Sequence, residues 1–204
     1  MAGSAMNAAL LFKTLAFAAT LALASCGQQA NTAAEAPLAG ARLGGPFTLT
    51  DQDGRTVTQK AFAGRYVLIY FGYTFCPDVC PLGLQTLSQG LAAFEKSAPD
   101  RAAEVQPVFV TVDPERDTPA VMKQYVAAFH PRLIGLTGTP QQIAAVAKEY
   151  AVFYKKVTQE GATGYLMDHS SAAMLFGPDG KPIALVPQDL KPADVAKVLD
   201  QWVR

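Results

Sequence analysis

Tyr66-Val67-Leu68-Ile69-Tyr70-Phe71 is an unbroken run of apolar, β-branched and aromatic residues. Such a run predicts a strand buried on both faces, as in a partly parallel sheet. Val108-Phe109-Val110-Thr111-Val112 predicts a second. Between them Leu84, Leu87, Leu91 and Phe94 recur at helical spacing. Upstream, Phe47-Thr48-Leu49-Thr50 alternates and runs into Asp51-Gln52-Asp53-Gly54, a hairpin signal. Val121, Tyr125 and Phe129 mark a helix opened by Thr118-Pro119, an N-cap followed by proline. Leu133 to Leu136 reads as a short strand, and Thr139-Pro140 opens a helix with Ile143, Val146, Ala147 and Tyr150 on one face. Ala172–Phe176 and Ile183–Val186 flank Gly177-Pro178-Asp179-Gly180, a second hairpin. Val195, Val198, Leu199 and Trp202 give a closing helix. Tyr150, Phe153, Tyr154 and Trp202 are expected in or near the core.

Alternating strands and helices, followed by a hairpin and a helix, define an α/β layer architecture. The order βαβ then ββα is that of a thioredoxin-like fold, with the segment near 119–136 inserted. A flavodoxin-like sheet is disfavoured by the 172–186 hairpin.

The N-terminus has a different pattern. Residues 1–25 carry one charged side chain, Lys13, and then run apolar and small up to Leu23-Ala24-Ser25-Cys26. This predicts a lipoprotein signal peptide over 1–25, cleaved before a lipidated Cys26. An apolar stretch of about a dozen residues is short against the ~20 that span a bilayer. Residues 26–43 are mostly Ala, Gln, Asn, Thr and Gly with a lone Pro37, and read as a flexible linker. The folded domain is expected over 44–204, tethered to the cell membrane and facing the periplasm or outer side.

Charge then removes some function classes. Lys+Arg 17 balances Asp+Glu 17, which gives no electrostatic footprint for nucleic acid. Three cysteines are too few for a disulfide-stapled scaffold.

Two of them sit where the chemistry concentrates, in Phe71-Gly72-Tyr73-Thr74-Phe75-Cys76-Pro77-Asp78-Val79-Cys80-Pro81. There the first buried strand ends and a helix begins, the place where open α/β sheets put their sites. Cys76 and Cys80 are four apart and share a face if both join the first turn, where Pro77 also fits. A helix N-terminus favours thiolate over thiol. Thiolates suit Cu(I) or Zn, so a metal pair and a redox dithiol both remain open. A plain disulfide would gain little across so short a loop. Redox enzymes of this fold usually carry two residues between the cysteines, and here there are three.

A metal needs further ligands. His169, in Met167-Asp168-His169-Ser170-Ser171, falls in the loop before the 172–176 strand, which in a thioredoxin-like fold faces the cysteine helix. His130 reads as a helix-end dipole partner, Met167 as core, and Asp78 as a first-turn dipole partner. Asp113-Pro114-Glu115-Arg116-Asp117 reads as a solvated turn leading into the Thr118 cap, or as a docking surface beside the metal loop.

With the Phe71–Pro81 motif, Thr111-Val112-Asp113-Pro114-Glu115-Arg116-Asp117-Thr118-Pro119 and Asp168-His169 in that order, the chain resembles the SCO/SenC family of copper-binding cytochrome oxidase assembly factors. The resemblance covers roughly residues 44–203. It implies a thioredoxin-like fold in which Cys76, Cys80 and His169 bind one copper ion per chain. It also implies cytochrome c oxidase subunit two as the partner, with copper supplied by a periplasmic donor. Two thiolates and an imidazole suit three-coordinate Cu(I), whereas zinc would normally take a fourth ligand. Oxidation of Cys76 and Cys80 to a redox-active disulfide would abolish binding. The second reading is a thiol–disulfide oxidoreductase that reduces the cysteines of the target copper site.

Overall fold

The computed structural model describes residues 35–158, 164–186, 189 and 191–204. The expected signal peptide, Cys26 and residues 26–34 of the expected linker lie outside them. No helix among the described residues is long and apolar enough to cross a membrane.

A seven-stranded sheet organises the domain. In chain order its strands are β1 (Thr48–Asp51), β2 (Thr56–Thr58), β3 (Tyr66–Gly72), β4 (Val105–Thr111) and β5 (Ile134–Thr137). They are followed by β8 (Ala173–Phe176) and β9 (Pro182–Val186). The spatial order is β2-β1-β5-β4-β3-β8-β9. β3, β4 and β5 are parallel, and β1 and the β8–β9 hairpin run antiparallel at the two sides. β6 (Tyr154–Thr158) and β7 (Tyr165–His169) form a separate antiparallel ribbon.

The helices are α1 (Val79–Ser97), α2 (Pro99–Ala103), α3 (Pro119–Ala127), α4 (Pro140–Glu149) and α5 (Pro192–Trp202). The period-2 alternation of β3 explains why its sequence is continuously apolar. Leu68 and Tyr70 pack with Leu84, Leu87, Leu91 and Phe94 of α1 and with Val195 and Leu199 of α5. Ile69 and Phe71 face the other way, into Ile143, Val146 and Tyr150. Both expected N-caps form: Thr118 accepts from the Val121 amide, and Thr139 closes a capping box with Gln142.

β3–α1–β4 and β8–β9–α5 supply the expected βαβ and ββα order. The inserted segment, α3 and β5, extends the sheet beside β4. The β6–β7 ribbon was not expected, and it changes the place of His169, which ends β7 rather than lying in a loop. The folded chain also starts before residue 44. Leu38 N–H donates to the Ile183 carbonyl, Gly44 N–H donates to that of Glu149, and Leu43 packs on the core. Backbone pairing, which composition does not encode, holds these residues of the expected linker. Phe153 is 62% exposed rather than near the core, because it lies in the link between α4 and β6.

Candidate metal centre

The cysteines stand at the C-terminal end of β3. Cys80 is the second residue of α1, whereas Cys76 and Pro77 lie in the turn before it, and the proline inside the first turn is Pro81. Asp78 is the N-cap residue, and its side chain makes no capping hydrogen bond. The Cys80 N–H donates to Cys76 Sγ at 3.4 Å, so the free amide of the helix start serves Cys76. Gly72 makes room behind them: a Cβ there would meet the Phe109 ring at 2.9 Å and Cys80 Sγ at 3.2 Å.

His169 arrives from the ribbon. Its Nδ1 donates to the Ser170 carbonyl at 2.7 Å, since a carbonyl can only accept. In the neutral imidazole this leaves the lone pair on Nε2, which lies 3.1 Å from Cys80 Sγ. The edge of Tyr73 meets the His169 ring at a centroid distance of 5.8 Å. The Tyr73 hydroxyl stands against Cys76 and the Met167 backbone. Met167 is buried in the core beside the thiols, as expected. Tyr73, Cys76, Val79, Leu166, Asp168 and His169 line a shallow cleft over the pair.

Burial overrides the expected activation of Cys80. Its thiol is wholly enclosed, and desolvation pushes its pKa far above the ordinary value. Desolvation also lowers the pKa of His169, which keeps the imidazole neutral. The contact between them is therefore a neutral thiol donating to Nε2. Among the described residues no three His, Cys, Asp or Glu side chains are already gathered around one point. The thiol and imidazole face each other directly, with Cys76 alongside. Two sulfurs and an imidazole nitrogen are soft donors of the kind that would suit a monovalent ion such as Cu(I).

Within the acidic segment Glu115 is solvated, but the two aspartates are not. Asp113 and Asp117 are buried. Asp117 Oδ2 accepts from the Thr74 amide at 3.0 Å and from the Thr111 hydroxyl at 2.5 Å, and Oδ1 accepts from the Thr74 hydroxyl at 2.6 Å. Its carbonyl accepts from Thr137 at 2.7 Å. The carboxylate ties the cysteine turn to the end of β4 and the main-chain carbonyl ties it to β5, although burial still raises the carboxyl pKa against its hydrogen bonds. His130 belongs elsewhere: it is buried beside Glu95 of α1, with Nδ1 accepting from the Arg132 amide.

Paired thiols at a strand–helix turn, faced by an imidazole from an appended ribbon, define a class: soft-metal or dithiol proteins on a thioredoxin-like frame. Residues 35–204 match the SCO1/SenC family, and the chain belongs to it. It is 47% identical over 146 residues to the mitochondrial SCO1 homolog 1 of Arabidopsis thaliana, covering 71% of this chain and 42% of that protein. The chain spans about half the length of the curated plant and mammalian relatives it matches. The structure of Bradyrhizobium japonicum ScoI with copper bound is 44% identical, with a TM-score of 0.70, over 78% of this chain and 99% of that one. The thioredoxin domain of a Bacteroides vulgatus thiol-disulfide oxidoreductase shares the fold at 16% identity and a TM-score of 0.52, over 79% and 96% of the two chains.

Proposed function

We propose that this protein is a copper carrier that binds one Cu(I) through Cys76, Cys80 and His169. It delivers the ion to the dinuclear copper site of cytochrome c oxidase subunit two, having received it from a periplasmic donor. One observation carries the ligand assignment. The Ser170 carbonyl fixes the tautomer of His169 and aims Nε2 at Cys80, 89 residues away in sequence. A hydrogen bond on the remote nitrogen is how metal-binding histidines are commonly oriented. The copper-bound ScoI relative supports the choice of metal. Copper is the cargo, so the chain's own residues have two tasks. The thiols would give up their protons to take the ion, the neutral imidazole would offer the Nε2 lone pair, and the open cleft would let a partner's ligands replace them.

The test is metal stoichiometry. Anaerobically reduced protein, loaded with Cu(I) and freed of excess, is expected to carry one copper per chain by native mass spectrometry and elemental analysis. A reduced protein that retains none overturns the proposal.

A second reading, a thiol–disulfide oxidoreductase acting on the target's cysteines, draws on the helix-start amide that Cys76 receives. His169 separates the two, as argued in the Discussion.

The anchor belongs to the same proposal: residues 1–25 are a cleaved leader and Cys26 carries lipid at the cell membrane. Cys26→Ala is expected to leave an unprocessed precursor, visible as a higher mass in the membrane fraction. An unchanged mass in that variant makes an uncleaved leader the better account.

A further inference from the structure

The two halves of the site come from separate sheets. Among the described residues, neither strand of the β6–β7 ribbon pairs with the main sheet. Backbone ladders therefore do not set the height of His169 over the cysteine turn, and side chains must.

The period of a strand puts Tyr165, Met167 and His169 on one face of β7. His169 reaches Cys80 at one end of that face, and at the other end the Tyr165 ring lies on the guanidinium of Arg116. The Arg116 Cζ is 3.7 Å from the centroid of Tyr165. The same carbon is 4.8 Å from the Phe75 centroid and 5.8 Å from that of Tyr73. Those two aromatics precede Cys76 by one and three positions. Hydrogen bonds fix the stack. Arg116 Nη1 donates to the Tyr165 carbonyl at 3.0 Å, and Nε donates to Asp113 at 2.5 Å. Asp113 also accepts from the Tyr165 hydroxyl at 2.8 Å.

Arg116 Nη2 is buried without a hydrogen-bond partner among the described residues. An unmet donor is costly. The guanidinium sits among three rings while two of its nitrogens bond, an arrangement that lysine cannot reproduce. The neighbouring Lys156–Glu115 pair is exposed and adds little.

We propose that Arg116 is a positioning residue of the copper site: it clamps the cysteine turn to the histidine ribbon and so sets the reach of His169 to Cys80. The inference rests on the ligand assignment proposed above. The residue does not touch the ion, and its proposed effect passes through His169 rather than through Cys76.

The experiment is a double-substitution cycle read by Cu(I) affinity against a competing chelator. Arg116→Lys is expected to lower affinity by about 10–100-fold, the range seen when the partner that orients a ligand is lost. In the His169→Ala background the same substitution is expected to cost nothing further. An equal loss in both backgrounds, or none in the wild-type background, overturns the inference. A metal-free measurement separates it from the copper reading. Hydrogen exchange of the reduced apoprotein should show faster exchange at the β6–β7 amides in Arg116→Lys, with β3 and β4 unchanged. That result upholds the clamp even if the wild type retains no copper, and unchanged ribbon exchange rejects it.

Discussion

Serine in place of Cys76 or of Cys80 is expected to abolish stable Cu(I) binding while the domain stays folded. Serine keeps the size of the side chain but replaces a soft thiolate with a hard hydroxyl that does not ionise near neutral pH. The two sites differ in what the fold feels. At position 80 the new hydroxyl is enclosed between Gly72 and His169, where it can still donate to Nε2. At position 76 it can still accept from the Cys80 amide. Neither change leaves a polar group stranded, so the expected cost is about 1 kcal/mol, within the ordinary range for one hydrogen bond. Cu(I) titration against a chelator reads the first effect, and equilibrium urea unfolding reads the second. Full occupancy in either variant would falsify the site. The wild type carries a further signature. Binding must remove the proton of a thiol whose burial holds it on, so copper affinity falls as pH is lowered.

Removing the imidazole divides carrier from reductase. His169→Ala leaves both sulfurs and the helix-start amide on Cys76 in place. Loss of a residue that merely orients a ligand lowers metal affinity by about 10–100-fold, and loss of the ligand itself should do at least as much. Thiol–disulfide exchange needs only a thiolate and access to the sulfur. The expected outcome is a combined loss of copper retention and cellular oxidase activity, with exchange toward a small dithiol near wild type. Oxidase activity that survives at limiting copper, despite copper loss in vitro, would instead favour the reductase.

The main sheet and its helices could be read from the chain because each follows a local rule. The 66–71 run, the α1 apolar stripe and the Thr-Pro helix starts all became what their periods and caps imply. The cysteine pair was legible from its place at a strand end. The ribbon was not. Tyr154-Lys155-Lys156-Val157-Thr158 is short and half-exposed, and it pairs with nothing in the main sheet. Its signal is weaker than that of the buried strands. Asp113 and Asp117 look solvated in sequence, because only the fold brings Thr74, Thr111, Arg116 and Tyr165 to them. The same holds for the clamp. Arg116 was visible inside its motif, but its aromatic partners are 41 to 49 positions away, and no periodicity links them. The thiolate expectation for Cys80 failed for a related reason: helix position is local, whereas burial is set by the fold, which brings Gly72 and His169 up against the sulfur.

The unequal enclosure of the two sulfurs gives any hand-over a direction. Cys80 has no exposed surface, whereas Cys76 keeps 9% and lines the open cleft. With the proposed ligands, an incoming group meets Cys76 and His169, which line the cleft, before it meets Cys80. Departure would then be a peeling from the outside inward, with the acceptor engaged before Cys80 releases the ion.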